Sequence, residues 1–433
     1  MNLLYDNLNI NEAGHLTIGG VDAVSLAEEY GTPLYVLYEN IIRKKCRIYT
    51  EAMTRYFGNG SVPLFAGKAL CFKGIYPIVE EEGLSADVVS PGEIYTALAA
   101  GFPAEKIYFH GNNKTDQDIR YGLEQHIGYF IVDNLNELRI LNETAGEMGV
   151  KQKILLRVTV GLDPHTLDAI NTGKIDSQFG RAIETGQAEE SVVQALACEN
   201  LELCGYHTHI GSQIFESDPF CDQIDILLGF ADDMRRKHGY TAGIFNIGGG
   251  FGVRYTESDP EVDIAKNIRQ ISEHLKSHCE ERNYPLPQVL MEPGRSIVAD
   301  AGVTLYTTGG VKEIEGYRNY VMVDGGMTDN PRYALYQSAY TIVLANRMND
   351  TADFRCTVAG RCCETGDRLA EDILLPKANR GDIVAVLTTG AYNYSMASNY
   401  NRIPRPAIVM VKDGAARLVV RRETFQDLIE REL

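Results

Sequence analysis

The sequence contains no run of about 18 consecutive apolar residues, the length that a membrane-spanning helix requires. Residues 1–30 also lack a basic stretch followed by a long apolar segment, which is the pattern of a secretory signal. We therefore expect a soluble, cytoplasmic protein with no membrane partner.

Positive charge is scarce. The chain has 41 Lys and Arg against 59 Asp and Glu, which gives a formal net charge of -18. Such a surface repels the phosphates of nucleic acids and of anionic lipids, so neither is an expected partner. A small anionic ligand would have to be bound by a local group of arginines.

Paired cysteines are absent as well. The nine cysteines are scattered and odd in number, and none has the spacing of a metal-ligand pair. This distribution favours a reducing compartment over a disulfide framework. The sequence also has no HExxH motif, so we expect no metal site.

Eight apolar, β-rich runs are present before residue 300, and amphipathic stretches separate most of them. This alternation predicts a parallel sheet, and eight strand-helix units predict a closed α/β barrel of the TIM type. The runs are residues 64–66, 86–89, 106–109, 128–132, 153–160, 203–206, 244–247 and 289–291. The helical stretches are residues 73–82, 92–100, 134–148, 222–238 and 261–282.

The pattern changes after about residue 301 to short alternating strands with turn residues between them, which predicts a C-terminal antiparallel β-domain. We expect residues 36–300 to form the barrel, and residues 1–35 and 301–433 to form the β-domain. An insertion rich in Gly, Pro, Asp and Thr, residues 161–185, is longer than an ordinary connection and is expected over the barrel mouth.

Lys68 follows the first predicted strand, among small apolar residues. Burial there would lower the pKa of the lysine, and a partly neutral lysine can condense with an aldehyde cofactor. The alternative is an ordinary surface lysine at a strand end.

The last three barrel runs end in polar or glycine-rich segments. Gly248, Gly249 and Gly250 would let backbone amides close on phosphate oxygens, or would simply form a tight turn. Ser212 at the preceding strand end adds a hydroxyl, and Arg295 at the next one adds charge. Together the three segments favour a phosphate site.

Glu292 stands between an apolar run and a Pro-Gly bend, where a buried carboxylate requires a partner. The partner could be a protonated pyridine nitrogen or an arginine such as Arg295. His207 and His209 are two residues apart and would share one face of a strand. They could stack on a flat ring, bind a metal, or only fill a polar barrel end.

The β-domain holds two further polar clusters, residues 324–336 and 362–367. Arg332 could bind a carboxylate through two parallel hydrogen bonds, and Glu364 could bind an ammonium group. The pair suits the zwitterionic end of an amino acid. The alternative is a pair of ordinary turns with one salt bridge.

In this order, these motifs closely resemble those of the fold-type III pyridoxal-phosphate-dependent decarboxylases, and among them the enzymes that act on diaminopimelate. The resemblance covers nearly the whole chain. The segments that carry it are FAGKA, DVVSPGEI, FHGNNK, HTHIGSQ, NIGGGFG, EPGRS, DGGMTDNPRYALY, CCETGD and GAYNYSMASNYN.

The resemblance implies pyridoxal 5'-phosphate as cofactor, with Lys68 carrying it, His209 stacking on its ring and Glu292 pairing with its ring nitrogen. The other cofactor-binding residues it implies are Ser212, Gly248, Gly249, Gly250, Gly294, Arg295 and Tyr392. The implied substrate-binding residues are Arg295, Arg332, Tyr336, Glu364 and Tyr392.

The implied reaction is decarboxylation of meso-2,6-diaminopimelate to L-lysine and CO2, the last step of lysine biosynthesis. Cys363 would be the proton donor. By the same resemblance, Cys363 and Glu364 would reach the site from a neighbouring subunit of a homodimer. Gln178 stands where the family often has Lys, which raises a question about the charge near the cofactor.

Three other functions fit parts of this pattern. A related decarboxylase acting on ornithine, carboxynorspermidine or a carrier-tethered amino acid is disfavoured by Arg332, because a simple diamine product has no distal carboxylate. A racemase of the same barrel type is disfavoured by Glu292, which would keep the ring protonated. A non-catalytic cofactor-binding barrel would lack the β-domain.

Overall fold

A computed structural model describes Leu3 and residues 5–58, 60–162 and 176–433. Most of the insertion predicted to cover the barrel mouth, residues 163–175, lies outside the described residues. The chain divides into two compact units. The barrel unit comprises residues 45–252 and 262–294, and the β unit comprises residues 1–44, 253–261 and 295–433.

The strands and helices are numbered in chain order. The strands are β1 (Leu8–Ile10), β2 (Leu16–Ile18), β3 (Val21–Asp22), β4 (Leu34–Tyr38), β5 (Val62–Ala66), β6 (Ser85–Val88), β7 (Ile107–Phe109), β8 (Tyr129–Val132), β9 (Gln152–Thr159), β10 (Arg181–Ala182), β11 (Leu201–His207), β12 (Ile244–Asn246), β13 (Gln288–Met291), β14 (Gly302–Ile314), β15 (Arg318–Val323), β16 (Ile342–Leu344), β17 (Phe354–Ala359), β18 (Arg368–Leu375), β19 (Ile383–Leu387), β20 (Ala407–Lys412) and β21 (Ala415–Val420). The helices are α1 (Ala23–Tyr30), α2 (Glu39–Tyr56), α3 (Ile75–Glu81), α4 (Pro91–Ala99), α5 (Asp116–Glu124), α6 (Leu135–Met148), α7 (Gln187–Leu196), α8 (Asp218–His238), α9 (Ile264–Glu281), α10 (Arg295–Val298), α11 (Arg332–Tyr336) and α12 (Phe425–Ile429).

Eight parallel strands close into a ring in the barrel unit. The order is β5, β6, β7, β8, β9, β11, β12 and β13, and β13 pairs back with β5. The short strand β10 pairs with β9 outside this ring. Each of the eight predicted runs overlaps one of the ring strands, so the predicted TIM-type barrel is confirmed.

Apolar side chains fill the inside of the barrel. One buried cluster takes a residue from each of six strands, and its members are Leu64, Tyr108, Ile131, Leu155, Ile244 and Leu290. Tyr108 stacks on Tyr129, with ring centroids 4.5 Å apart. Burial of each large side chain contributes roughly 1.5–3 kcal/mol. The barrel is therefore a packed core, and polar chemistry is confined to the strand ends.

Helix α5 was missed by the sequence patterns, although a start signal precedes it. The Thr115 side chain accepts a hydrogen bond from the Asp118 backbone, and the Asp118 side chain accepts one from the Thr115 backbone. This capping box satisfies two backbone donors that a helix start would otherwise leave unpaired. The signal lies in the sequence as T-x-x-D, ahead of a helix that is nine residues long.

The β unit contains the expected β-domain, and two of its strand pairings are parallel. The long strand β14 pairs antiparallel with β4, β15 and β19. However, β4 pairs parallel with β20, and β15 pairs parallel with β17. Parallel neighbours cannot be joined by a short hairpin, and β4 enters the sheet from the opposite end of the chain.

The division into units differs from the expected boundaries at residues 36 and 300. Residues 36–44, 253–261 and 295–300 group with the β unit. The backbone explains this: β4 is a strand of the β-sheet, Tyr38 N donates to Ala301 O at 2.8 Å, and Thr341 N donates to Tyr255 O at 3.1 Å. In the described part of the chain, no helix combines the length and the hydropathy needed to cross a membrane.

Glu39 is a buried carboxylate in the β unit, held by three cations. Its oxygens accept from Arg43 Nε at 2.8 Å, Lys412 Nζ at 3.0 Å and Arg417 Nη2 at 2.7 Å. Burial alone would raise the pKa of Glu39, but Lys412, Arg417 and Arg43 lower it to about 2. The carboxylate thus joins the start of α2 to strands β20 and β21.

We predict that Glu39→Gln destabilises the folded chain by about 2 kcal/mol at pH 7, a value reduced for solvent screening because Lys412 and Arg417 are half exposed. The lowered folded pKa stabilises the protein above the unfolded value of about 4.3, and this contribution is lost as pH falls towards 2. Urea unfolding should therefore show a difference that is full at pH 7 and narrower at pH 4. The exposed control Glu28→Gln should leave the urea midpoint unchanged at both pH 7 and pH 4. Equal urea midpoints for Glu39→Gln and the parent protein at pH 7 would refute the prediction.

Candidate active site

Each of the eight barrel strands has a polar side chain at or just beyond its carboxyl end. Such strand ends converge on one mouth of a parallel barrel. In strand order the residues are Lys68, Asp87, His110, Asp133, Arg157, His207, Asn246 and Glu292. The sequence interpretation assigned chemistry at four of these ends, whereas the structure has a polar side chain at all eight.

Lys68 lies in a single turn of 3-10 helix, Gly67–Ala69, directly after β5. Gly67 and Ala69 are buried, but the Lys68 side chain is exposed. The expected burial of Lys68 is therefore wrong for the chain itself. Burial raises the pKa of Asp87 and of Glu93, and the positive charge of Lys68 partly opposes that rise. The amine is thus accessible and faces two acids.

Glu292 is buried, and neutral and basic nitrogens bind both of its oxygens. His110 Nε2 lies 2.7 Å from Oε1, Asn246 Nδ2 donates to Oε1 at 2.7 Å, and His207 Nε2 lies 3.2 Å from Oε2. Burial alone would raise the pKa of Glu292, but His110 and His207 hold it well below its usual range. Both sequence interpretations, a pyridinium partner and an ion pair with Arg295, overlooked these two imidazoles.

The two histidines predicted to share a strand face have different surroundings. His207, the last residue of β11, hydrogen-bonds Glu292, and burial lowers the pKa of His207 to about 3. It therefore donates to the carboxylate as a neutral imidazole. His209 lies beyond the strand, partly buried, beside Gly248. Burial and the nearby Lys68 cation lower the pKa of His209 well below its usual value, so its ring is also neutral.

The glycine run lies directly over Glu292. Glu292 N donates to Gly248 O at 2.8 Å. A Cβ on Gly249 would overlap the Glu292 carbonyl, and one on Gly248 would come within 2.7 Å of His209 Nδ1. Gly248 also has a φ of 72°, in the region that favours glycine. Close packing therefore requires these glycines, whether or not a ligand is bound.

The Ser212 loop joins the glycine run through backbone hydrogen bonds. Ile214 N donates to Gly250 O at 3.0 Å, and Gly252 N donates back to Ile214 O at 2.9 Å. A Cβ on Gly250 would lie 2.9 Å from Gly211 O. Ser212 is partly buried between these segments. The hydroxyl and the glycine amides predicted to bind phosphate are thus brought together.

The EPG segment packs on the Lys68 turn. Ala66 N donates to Pro293 O at 3.1 Å, and a Cβ on Gly294 would lie 2.9 Å from the Cβ of Ala69. This contact places the ends of β13 and β5 side by side. Gly294 therefore acts by permitting close approach.

A buried cation, Arg157, lies on β9 near the mouth. Its Nε is 4.0 Å from Asp133 Oδ1, and its guanidinium lies 4.5 Å from the centre of the Phe179 ring. Asp133 Oδ1 also accepts from Gly180 N at 2.9 Å. The neighbouring Gln178 side chain is exposed. The positive charge beside Asp133 thus comes from Arg157 and not from position 178.

In the β unit, two buried arginines flank Tyr392. The Arg295 guanidinium lies 4.8 Å from the Tyr392 ring, and its Nη1 donates to Tyr255 Oη at 2.6 Å. The Arg332 guanidinium lies 5.4 Å from the Tyr392 ring and 5.0 Å from that of Tyr336. Among the described residues Arg332 forms no ion pair, and its buried Nε has no hydrogen-bond partner. This is the local arginine group that an anionic ligand requires.

Cys363 and Glu364 lie on an exposed turn of the β unit. Cys363 N donates to Asn401 Oδ1 at 2.7 Å, and Tyr400 Oη lies 3.5 Å from Glu364 Oε2. Asp367, at the end of the turn, accepts a hydrogen bond from Met327 N at 2.7 Å and so holds the turn against the neighbouring loop. Within the described part of the chain, no hydrogen bond or ion pair joins this turn to Arg332.

Sequence reasoning missed five residues of the mouth, namely Asp87, His110, Asp133, Arg157 and Asn246. A signal was available for all five, because each lies within or directly after a predicted strand. His110 and Asn246 in particular are polar residues that interrupt apolar segments, and both bind Glu292.

Comparisons with known proteins agree on one family. Residues 39–299 match the family described as pyridoxal-dependent decarboxylase, pyridoxal binding domain. The chain is 47% identical over 423 residues to the diaminopimelate decarboxylase of Bacillus subtilis (strain 168), covering 98% of this chain and 96% of that protein.

Two solved structures are similar along nearly their whole length. Diaminopimelate decarboxylase from M. jannaschii, in complex with L-lysine, has a TM-score of 0.91 and 34% identity, covering 99% of this chain and 98% of that one. The Helicobacter pylori enzyme complexed with L-lysine has a TM-score of 0.86 and 29% identity, covering 95% and 99%.

The resemblance inferred from the motifs is thus confirmed, and with it the pyridoxal cofactor class. Because the match extends through both units, it includes the arginine group of the β unit as well as the barrel mouth. The chain belongs to the diaminopimelate decarboxylases, a family of pyridoxal-dependent carboxy-lyases.

Proposed function

We propose that this protein removes CO2 from meso-2,6-diaminopimelate and releases L-lysine, the last step of lysine biosynthesis. The observation that carries the proposal is the buried, ionised Glu292, which is hydrogen-bonded to His207 and Asn246 and lies 2.7 Å from His110 Nε2 at the barrel mouth. Such an anion is the partner that a protonated pyridine ring needs in order to withdraw electrons.

The barrel unit fits pyridoxal 5'-phosphate. Glu292 offers the anion for the ring nitrogen, His209 a neutral flat ring, and Lys68 an accessible amine for the aldehyde. Ser212 and the amides of Gly249 and Gly250 would bind the phosphate, whereas the Gly248 amide already donates to Asn246 Oδ1 at 3.0 Å. When bound, the cofactor supplies an electron sink for the bonding pair released as the Cα–carboxylate bond breaks.

His110 and His207 are positioning residues in this proposal. Glu292 must remain ionised although it is buried, and their hydrogen bonds oppose the effect of burial on its pKa. His207 does so while neutral, so it does not cancel the negative charge. Asn246 adds a neutral donor.

Arg332 is the proposed determinant of substrate class. Its buried guanidinium lacks an anionic partner in the described part of the chain, and a distal amino-acid carboxylate would supply one. Tyr336 and Tyr392 hold its plane by ring contacts. A simple diamine product has no group for this cation, which disfavours ornithine as substrate. Arg295, buried beside Tyr392, offers a second cation for an anionic group.

The exposed turn with Cys363 and Glu364 is proposed to act in the active site of a second subunit. Cys363 would deliver the proton to the carbon that loses CO2, and Glu364 would bind the substrate ammonium. Their exposure, and the absence of a hydrogen bond or ion pair between them and Arg332 in the described chain, support a homodimer with shared sites. A cytoplasmic location is also part of the proposal, supported by nine free cysteines.

The purified, cofactor-loaded protein is expected to convert meso-2,6-diaminopimelate to lysine and CO2 in equal amounts. L-ornithine, L-lysine and L-arginine should yield no diamine, because they lack the distal carboxylate. Chromatography of the products and measurement of released CO2 check this. Intact diaminopimelate in the presence of protein with cofactor bound at Lys68 would reject the proposed substrate.

Arg332→Gln should lower kcat/KM for diaminopimelate by about 30-fold or more, because a buried ionic contact to the substrate is lost. Most of the change should lie in KM, since the residue binds the unreacting end. Arg355→Gln, which removes a largely exposed arginine of the same unit, should leave both constants unchanged. An Arg332→Gln enzyme with unaltered KM would remove Arg332 from the substrate site.

His110→Leu should move the acid limb of the kcat–pH profile upwards by about one pH unit or more. Removing His110 removes a group that lowers the pKa of Glu292, so the carboxylate takes up a proton at a higher pH and activity is lost earlier. The control His238→Leu, at an exposed histidine paired with Glu189, should keep the parent profile. An unchanged profile in a folded, cofactor-binding His110→Leu enzyme would count against the role.

A further inference from the structure

A second group of titratable side chains lies on two neighbouring helices of the barrel unit. Asp225 is on α8, and His274 and His278 are on α9. The two histidines are four residues apart, so they share one face of the helix. Their rings lie 4.1 Å apart, tilted by 30°.

Both imidazoles approach one carboxylate oxygen. His274 Nε2 and His278 Nδ1 lie 2.8 Å and 2.7 Å from Asp225 Oδ1. All three atoms fall within 4.8 Å of one another. The His278 contact lacks the alignment of a hydrogen bond, and its Nδ1 is a buried atom without a hydrogen-bond partner. His274 Nε2 is hydrogen-bonded to Asp225 Oδ1, whereas His278 Nδ1 approaches the same oxygen without a hydrogen bond of its own.

We propose that Asp225, His274 and His278 bind a divalent transition-metal ion of the Zn2+ class. Two imidazole nitrogens and one carboxylate oxygen are a donor set that suits Zn2+, and water would complete a tetrahedron. Ligand atoms around Zn2+ are about 3.3 Å apart for metal distances near 2.05 Å. Opening the present contacts to that separation needs a shift of about half an ångström, within reach of side-chain rotation.

The position of the cluster permits exchange with solvent. The side chains are 26%, 26% and 38% exposed for His274, His278 and Asp225. Exposure at this level leaves room for a water ligand and a route for the ion. It also distinguishes the cluster from His110, His207 and Glu292, which are buried among residues assigned to the cofactor.

The charge around the cluster favours a cation. Burial and then the carboxylates of Asp218, Asp225 and Asp222 raise the pKa of the Cys221 thiol to about 11, which shows that this part of α8 is a negative environment. The same effect keeps Cys221 protonated, so the thiol is not counted among the ligands.

A metal here would join α8 to α9. These helices follow β11 and β12 and belong to the outer ring of the barrel, whereas the catalytic groups lie at the strand ends. Binding to the folded state alone raises stability by mass action. The site should therefore change thermal stability and leave turnover unaltered.

Equilibrium dialysis of the holoenzyme against Zn2+, with metal analysis, tests the site. The parent should bind one more Zn2+ per chain than His274→Ala/His278→Ala, and Asp225→Asn should weaken that binding about 10-fold or more. The control His238→Ala should bind as the parent does. Zn2+ should raise the Tm of the parent and the control but not of the double variant.

The use of holoenzyme keeps the cofactor residues occupied, so metal bound at His110 and His207 is not counted. Normal decarboxylase activity of the double variant shows that it is folded; if it does not fold, Asp225→Asn serves in its place. Equal Zn2+ binding by parent and variant would place the metal elsewhere. No Zn2+ bound by the parent would mean a hydrogen-bonded cluster only. Either result overturns the proposal.

Discussion

The buried negative charge of Glu292 is the constraint on which the barrel mouth depends. An ionised carboxylate in a protein interior costs several kcal/mol unless its oxygens are hydrogen-bonded. Here the donors come from the ends of β7, β11 and β12, and the acid comes from the end of β13. Four strand ends must therefore lie within hydrogen-bonding distance of one side chain. The register of the closed barrel meets that requirement, and the packed apolar interior keeps water from replacing the donors.

The glycine run follows from the same constraint. A segment that crosses Glu292 this closely has no space for a Cβ at Gly249 and little at Gly248. The two interpretations of the run, a tight turn and a phosphate site, are thus not exclusive. The backbone conformation that close packing imposes also leaves amides at the strand ends, and the Ser212 loop is hydrogen-bonded alongside. Packing and ligand binding make the same demand on these residues.

The barrel could be predicted from sequence because each strand is a local apolar run with its own helix, and all eight were found. The β unit was predicted less fully. Its pairings of β4 with β20 and of β15 with β17 are parallel and join segments distant in sequence, which local alternation cannot reveal. The site followed a similar rule. Glu292 and the glycines stand out as motifs, whereas His110 and Asn246 gain their meaning only from the closure of the ring around Glu292. The exposure of Lys68 was missed because small apolar neighbours such as Gly67 and Ala69 can be buried while the side chain between them is not.

The choice of imidazole and amide donors for Glu292 has a chemical consequence. A buried arginine would also keep the carboxylate ionised, but its fixed cation would cancel the charge that a pyridinium needs. A neutral His207 and a neutral Asn246 donate hydrogen bonds without adding positive charge. The anion is therefore stabilised and still available to an incoming cation. A strongly protonated ring favours full withdrawal of an electron pair, which loss of CO2 demands and a reversible proton transfer does not. In the proposed function, the identity of these donors thus links the packing of four strand ends to decarboxylation over racemisation.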